Sequence, residues 1–194
     1  MATTITTSFL KQGTCGSTGN IRTCFRYLAS GASTTCDIGG SGEGTSYRNV
    51  VAVRFDSLPV AISSAKLTIT YQQSGSTHWN APQTISVRGC SNFTNDSTGA
   101  NLPTPLYGDT KTASLAASTA SITIDVTAQM QAALANGSKC LYIFANAADN
   151  RKRVAAIDLT YEPIKVKLDG VAASSVTVNG QAVTSLKLNG TTIF

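Results

Sequence analysis

Along five stretches of this chain apolar side chains recur at every second position, and that period of two constrains the fold more than any other feature. Val51, Val53 and Phe55 alternate with Ala52 and Arg54. Leu67, Ile69 and Tyr71 alternate with Lys66, Thr68 and Thr70. Ile85 and Val87, then Ile122, Ile124 and Val126, then Ile157, Leu159 and Tyr161 repeat the pattern. Successive side chains of a strand point to opposite faces, so each stretch reads as a strand with one buried and one wet side. The run "CLYIFA" at 140–145 is apolar on both faces and reads as a central strand. Turn chemistry such as "DSLP" at 56–59 closes the strands. Only one segment has helical spacing. Met130 and Leu134 share a face, Thr127 stands where a cap belongs, and Gly137 stands where a left-handed residue ends a helix.

Short strands, one short helix and no alternation of strand with helix predict an all-β fold: an antiparallel jelly-roll β-sandwich over residues 1–163. Residues 1–48 read as an irregular first stretch with strand-like pieces around Thr4–Lys11 and Thr23–Leu28. The polar, turn-rich segment from Ser91 to Ala120, with two prolines in "NLPTPLYGD", reads as a long surface connection. "DNRKR" at 149–153 reads as a solvated basic link between two buried strands.

Residues 164–194 differ in kind. Asp169-Gly170, Asn179-Gly180 and Asn189-Gly190 recur every ten residues between short β-forming words. Such pairs suit a type I′ turn, which needs positive φ at both central positions. The segment reads as a small C-terminal β-meander, too thin to bury an apolar face alone. It must rest on the sandwich, on copies of itself or on another protein, and an edge ending at Phe194 invites pairing.

Catalytic chemistry finds no foothold. The one histidine, His78, lies in an apparent loop, and there is no nucleophile-elbow motif, so the chain is expected not to be an enzyme. Asp56, Asp125 and Asp158 fit structural roles at strand ends and on wet faces. A single histidine and five cysteines without a paired C-x-x-C motif make a zinc site improbable. The cysteines Cys15, Cys24, Cys36, Cys90 and Cys140 read mostly as small buried apolar residues, with pairing open to a protein that works outside a cell. His78, Trp79 and Asn80 form the best candidate for sugar contact, by stacking on an indole with polar neighbours; Tyr107 can supply a second face. The alternative for Trp79 is a plug over the end of the sandwich. Asn95, Asp96 and Asn101 offer oxygen ligands for a structural calcium, although their spacing matches no defined loop and a solvated turn is the simpler reading. No other cofactor is expected. The net charge of +5 is scattered, unlike the basic stripe of a nucleic-acid-binding surface, and no run is long enough to insert in a membrane.

The order of "VAVRFDSLPVAISSAKLTITY", "ITIDVTAQMQAAL" and "AAIDLTYEP" resembles the DNRLRE-type, carbohydrate-binding-module-like jelly-roll domains over roughly residues 45–163. Members of that family occur in extracellular surface proteins, in proteins that act on polysaccharides and in phage structural proteins, so the resemblance implies an architecture more than an activity. The chain departs from the family in having one tryptophan and no secretory leader at its start. Its ending is similar to the hairpin words that close many phage virion proteins. Together these resemblances imply a non-enzymatic virion structural protein: a head decoration, a collar or fibre component, or a tail accessory, made in the host cytoplasm. Its expected partners are other virion proteins and copies of itself. The alternative is a carbohydrate-binding module or host-glycan adhesin that holds surface polysaccharide.

Overall fold

A computed structural model describes residues 1–7, 9–16, 21–29, 36–40, 47–72, 82–93, 105–145 and 152–164, and six two-residue strands beyond them; for 9–16, 21–29, 36, 40, 47–49 and the tail strands only the backbone is described. In chain order the sandwich holds β1 (Thr3–Thr6), β2 (Phe9–Gly16), β3 (Ile21–Ala29), β4 (Cys36–Gly40), β5 (Tyr47–Arg54), β6 (Ile62–Tyr71), β7 (Gln83–Cys90), β8 (Leu106–Leu115), β9 (Ser121–Asp125), α1 (Thr127–Ala135), β10 (Cys140–Ala145) and β11 (Lys152–Pro163).

Every ladder is antiparallel. One sheet runs β1, β11, β6, β9, and the other runs β3, β2, β5, β10, β7, β8. β4 belongs to both, pairing with β11 through Cys36–Ile38 and with β5 through Gly39 and Gly40. The first and last strands of the sandwich are neighbours, and β5 pairs with β10, the nesting of early with late strands that a jelly roll has.

The alternation read from the sequence sets the register. Ile5, Leu159, Leu67 and Ile124 stand opposite one another across the first sheet. They share one core with Val51, Val53, Ile85, Val87, Leu141 and Ile143 of the second sheet and with Phe55, Met130 and Tyr161. Phe55, Leu67, Ile69, Ile85, Met130, Leu141 and Ile143 are wholly buried. Burying each contributes about 1.5–3 kcal/mol relative to exposure.

Four expectations need correction. β5 is not half-buried: Val50 and Ala52 on its outer face are 0% exposed and join Cys90, Phe93, Cys140 and Tyr142 in a second apolar cluster. The segment from Ser91 to Ala120 is not all connection, because it holds the ten-residue strand β8. Only Leu115 of β8 is buried, so it carries little alternation; its ladder to β7 and the overlying helix hold it in place. "DNRKR" is not solvated throughout, since Lys152 is 0% exposed with its ammonium 5.8 Å from the centre of the Tyr71 ring. Arg153 pairs with Asp37 at 3.2 Å.

Thr127 does not cap the helix by its side chain; it is the first helical residue. Asp125 Oδ1 accepts the Thr127 N–H at 3.0 Å and the Thr127 hydroxyl at 2.7 Å, while Thr127 Oγ1 accepts the Ala65 N–H at 2.9 Å, which pins α1 to β6. Gly137 ends the helix in the left-handed region at φ 69° as expected. On its other side α1 lies against β7 and β8, where Gln129 Nε2 donates to Asp109 O at 2.9 Å.

Beyond Pro163 three hairpins follow. Lys167–Leu168 pairs with Val171–Ala172, Thr177–Val178 with Gln181–Ala182, and Lys187–Leu188 with Thr191–Thr192. Leu168 opposite Val171, Val178 opposite Gln181 and Leu188 opposite Thr191 leave two residues per turn, the loop length the sequence asks for. Each hairpin is its own two-stranded sheet among the described residues.

Candidate functional site

The outward side chains of the first sheet form the most regular polar surface of the described residues. Directly opposed residues of antiparallel strands share a face. One row across β1, β11, β6 and β9 is Thr6, Asp158, Thr68, Thr123, and the next is Thr4, Thr160, Lys66, Asp125. Thr70 and Ser121 begin a third. Neighbouring rows lie about 6.8 Å apart and neighbouring strands about 4.8 Å.

Cross-strand contacts knit the rows. Thr6 Oγ1 donates to Asp158 Oδ1 at 2.7 Å, the Thr4 and Thr160 hydroxyls lie 2.8 Å apart, and those of Thr68 and Thr123 3.0 Å. Its bond with the Thr127 amide holds the Asp125 carboxyl below the usual aspartate range, aided by the Thr127 hydroxyl and the Lys111 and Lys66 charges. Hydroxyls, two carboxylates and an ammonium on a flat surface suit hydrogen bonding to a polyhydroxylated or hydrated partner. The signal is present in the sequence as Thr-Ile-Thr at 4–6 and 68–70 and Ser-Ile-Thr at 121–123, where alternation marks Thr68 and Thr70 as wet but does not reveal that they share a face with β1 and β9.

A second polar constellation closes the end of the sandwich beside α1. Asp56 pairs with Arg54 Nε, whose guanidinium also donates to Phe93 O at 3.0 Å. Lys139 Nζ donates to Asp56 O at 2.8 Å. Asn92 Oδ1 accepts the Ser138 hydroxyl and the Lys139 N–H, both at 3.2 Å, and Asn92 Nδ2 donates to Gly137 O at 2.8 Å. The Asp56 carboxylate accepts from the Arg54 guanidinium and its backbone carbonyl from the Lys139 ammonium, while the Asp125 carboxylate accepts from the Thr127 amide at the start of α1. Among the described residues no three His, Cys, Asp or Glu side chains gather as a metal site.

Of the residues singled out in the sequence, His78, Trp79, Asn80, Asn95, Asp96, Asn101, Asp169, Gly170, Asn179, Gly180, Asn189, Gly190 and Phe194 lie outside the described residues. Tyr107 is described: it is half-buried, packs on the main core and stands opposite Gly89 near the end of β7. The stretch carrying Trp79 rejoins the described chain at Pro82, before the start of β7. Seven residues of strand separate Pro82 from Gly89, about 24 Å of extended chain. No family model matches the chain, and no curated protein matches it.

Proposed function

We propose that this chain is a non-enzymatic structural protein of a phage virion, a decoration, collar, fibre or tail accessory component that displays its sandwich on the particle and mounts it by residues 164–194. The observation that carries the reading is the tail's geometry: three hairpins ten residues apart, each with the same two-residue loop and each its own two-stranded sheet. An isolated hairpin is marginal in water, so such a tail gains stability by lying on a further surface. Repetition of one short unit suits a surface that itself repeats, as assembled subunits do. The likeness to DNRLRE-type jelly rolls fits this reading as an architecture met in display proteins.

The test is deletion of residues 164–194. The remaining sandwich is expected to stay folded and soluble by circular dichroism and to be lost from assembled particles. A truncated protein that enters particles at the full-length level overturns the mounting role.

The hydroxyl and carboxylate rows of the first sheet support a second reading, a glycan-binding module or adhesin. Binding on a glycan array that is lost in Trp79→Ala or in Asp158→Ala favours it over the first. A calcium held near Asn95, Asp96 and Asn101 would belong to either. No helix among the described residues is long and apolar enough to cross a membrane.

A further inference from the structure

Two wholly buried thiols face each other across the ladder of β7 and β10. Cys90 and Cys140 are directly opposed, both 0% exposed and both free. Directly opposed residues of an antiparallel pair have Cα atoms about 4.5 or 5.5 Å apart, depending on the ladder position, and a disulfide accepts about 4.4–6.8 Å.

The surroundings hold them there. Ser138 Oγ donates to Cys90 O at 2.6 Å and accepts the Cys140 N–H at 3.2 Å, and the Cys140 thiol lies 3.6 Å from Asn92 Oδ1. Val50, Ala52, Phe93 and Tyr142 pack around them. The pair sits at the last residue of β7 and the first of β10, and its neighbour Asn92 is exposed, so the route to solvent is short.

We propose that Cys90 and Cys140 are a built cross-strand dithiol that closes to a disulfide when the protein meets a small-molecule disulfide oxidant, stapling one end of the β7–β10 ladder. Burial foremost raises the Cys90 thiol, while the neighbouring Cys90 group, Ser138, the Phe93 amide and the Arg54 charge lower that of Cys140. One thiol of the pair, as its thiolate, displaces one thiolate from the oxidant and forms a mixed disulfide. The other then gives up its proton, attacks the protein sulfur of that mixed disulfide and expels the second thiolate. Two protein thiols are oxidised to one disulfide, and one oxidant disulfide is reduced to two thiols.

The closed loop spans about fifty residues, long enough that cross-linking raises the melting temperature on the order of 10 °C.

The full-length protein is incubated folded with oxidised glutathione, its remaining thiols are alkylated in denaturant, and unreduced peptides are mapped by mass spectrometry. The expected result is a cross-linked peptide pair containing Cys90 and Cys140, with the melting rise reversed by dithiothreitol and missing in Cys140→Ala. Recovery of Cys90 and Cys140 both fully alkylated, or linked only to Cys15, Cys24 or Cys36, overturns the proposal. The peptide map on the unmutated chain decides the matter even if Cys140→Ala does not fold.

Discussion

Replacing Gly89 with alanine sets strand preference against packing, and the two predict opposite signs. Gly89 lies inside β7, where glycine is disfavoured by about 0.5–1 kcal/mol against alanine, so preference alone makes Gly89→Ala stabilising. A Cβ placed there would meet Gln129 O at 2.8 Å, Ala133 Cβ at 3.2 Å and Tyr107 Cβ at 3.2 Å. The closest of these is helix backbone, which no rotamer change relieves, so α1 must lift from the sheet. Overpacking of this kind costs about 1–3 kcal/mol. The net expectation is a loss of about 1–2 kcal/mol, a melting temperature lower by roughly 2–8 °C. Gly137→Ala is the control for backbone strain alone. It has φ +69° with nothing within 4 Å of the added methyl, and should lose about 1 kcal/mol without disturbing α1. Urea unfolding gives the energies, and amide exchange in α1 shows whether the helix has moved. A Gly89→Ala protein as stable as the parent, with unchanged exchange in residues 127–135, would refute the docking of α1 described above.

Phe55→Ala, at a wholly buried position in the main core, should cost about 3–5 kcal/mol, whereas Val60→Ala, at a position 68% exposed, should stay within about 0.5 kcal/mol; thermal unfolding of both variants checks the contrast. Asp125→Ala removes the acceptor of the first helical amide and should cost about 0.5–1 kcal/mol near neutral pH. Because folding lowers the Asp125 pKa, its stabilisation is present above the ordinary aspartate range and is lost as pH falls through the lowered value. The gap between parent and Asp125→Ala should therefore narrow in acid, and a gap that widens there would contradict the assignment.

What the sequence made legible was decided by how the buried faces are distributed. β6 and β11 each bury one face and leave the other wet, so Leu67, Ile69, Ile157 and Leu159 announce both the strand and its orientation. β8 buries only Leu115 and Tyr107 is half-covered; its existence depends on partners 16 to 32 residues away in the chain, which local alternation cannot display. β5 misled in the other direction. Ala52 is small enough to pass for a solvent-facing residue, and only the assembled fold shows it beneath the second cluster. Lys152 failed for a related reason: a charge beside other charges reads as solvated, yet here its stem is enclosed and burial lowers its ammonium pKa. The left-handed Gly137 and the two-residue loop length of the tail hairpins were legible because each is set by a few adjacent residues.

The same logic separates the two surface stretches that the sequence nominated for ligands. Residues 94–104 leave from Phe93, which is set in the second cluster, and return at Pro105, beside Leu106, which packs against that cluster; the Ser91 N–H bonds to Pro105 O at 3.0 Å across the gap. Their ends are therefore gripped by the scaffold whatever the intervening residues bind. The stretch 73–81 enters at the opposite end of β7, between Gln72 and Pro82. A calcium near Asn95 and a sugar on Trp79 are separate propositions, each to be tested by its own substitution. Asp96→Ala should leave any glycan binding through Trp79 unchanged, and its loss in that variant would show that the two stretches act as one site.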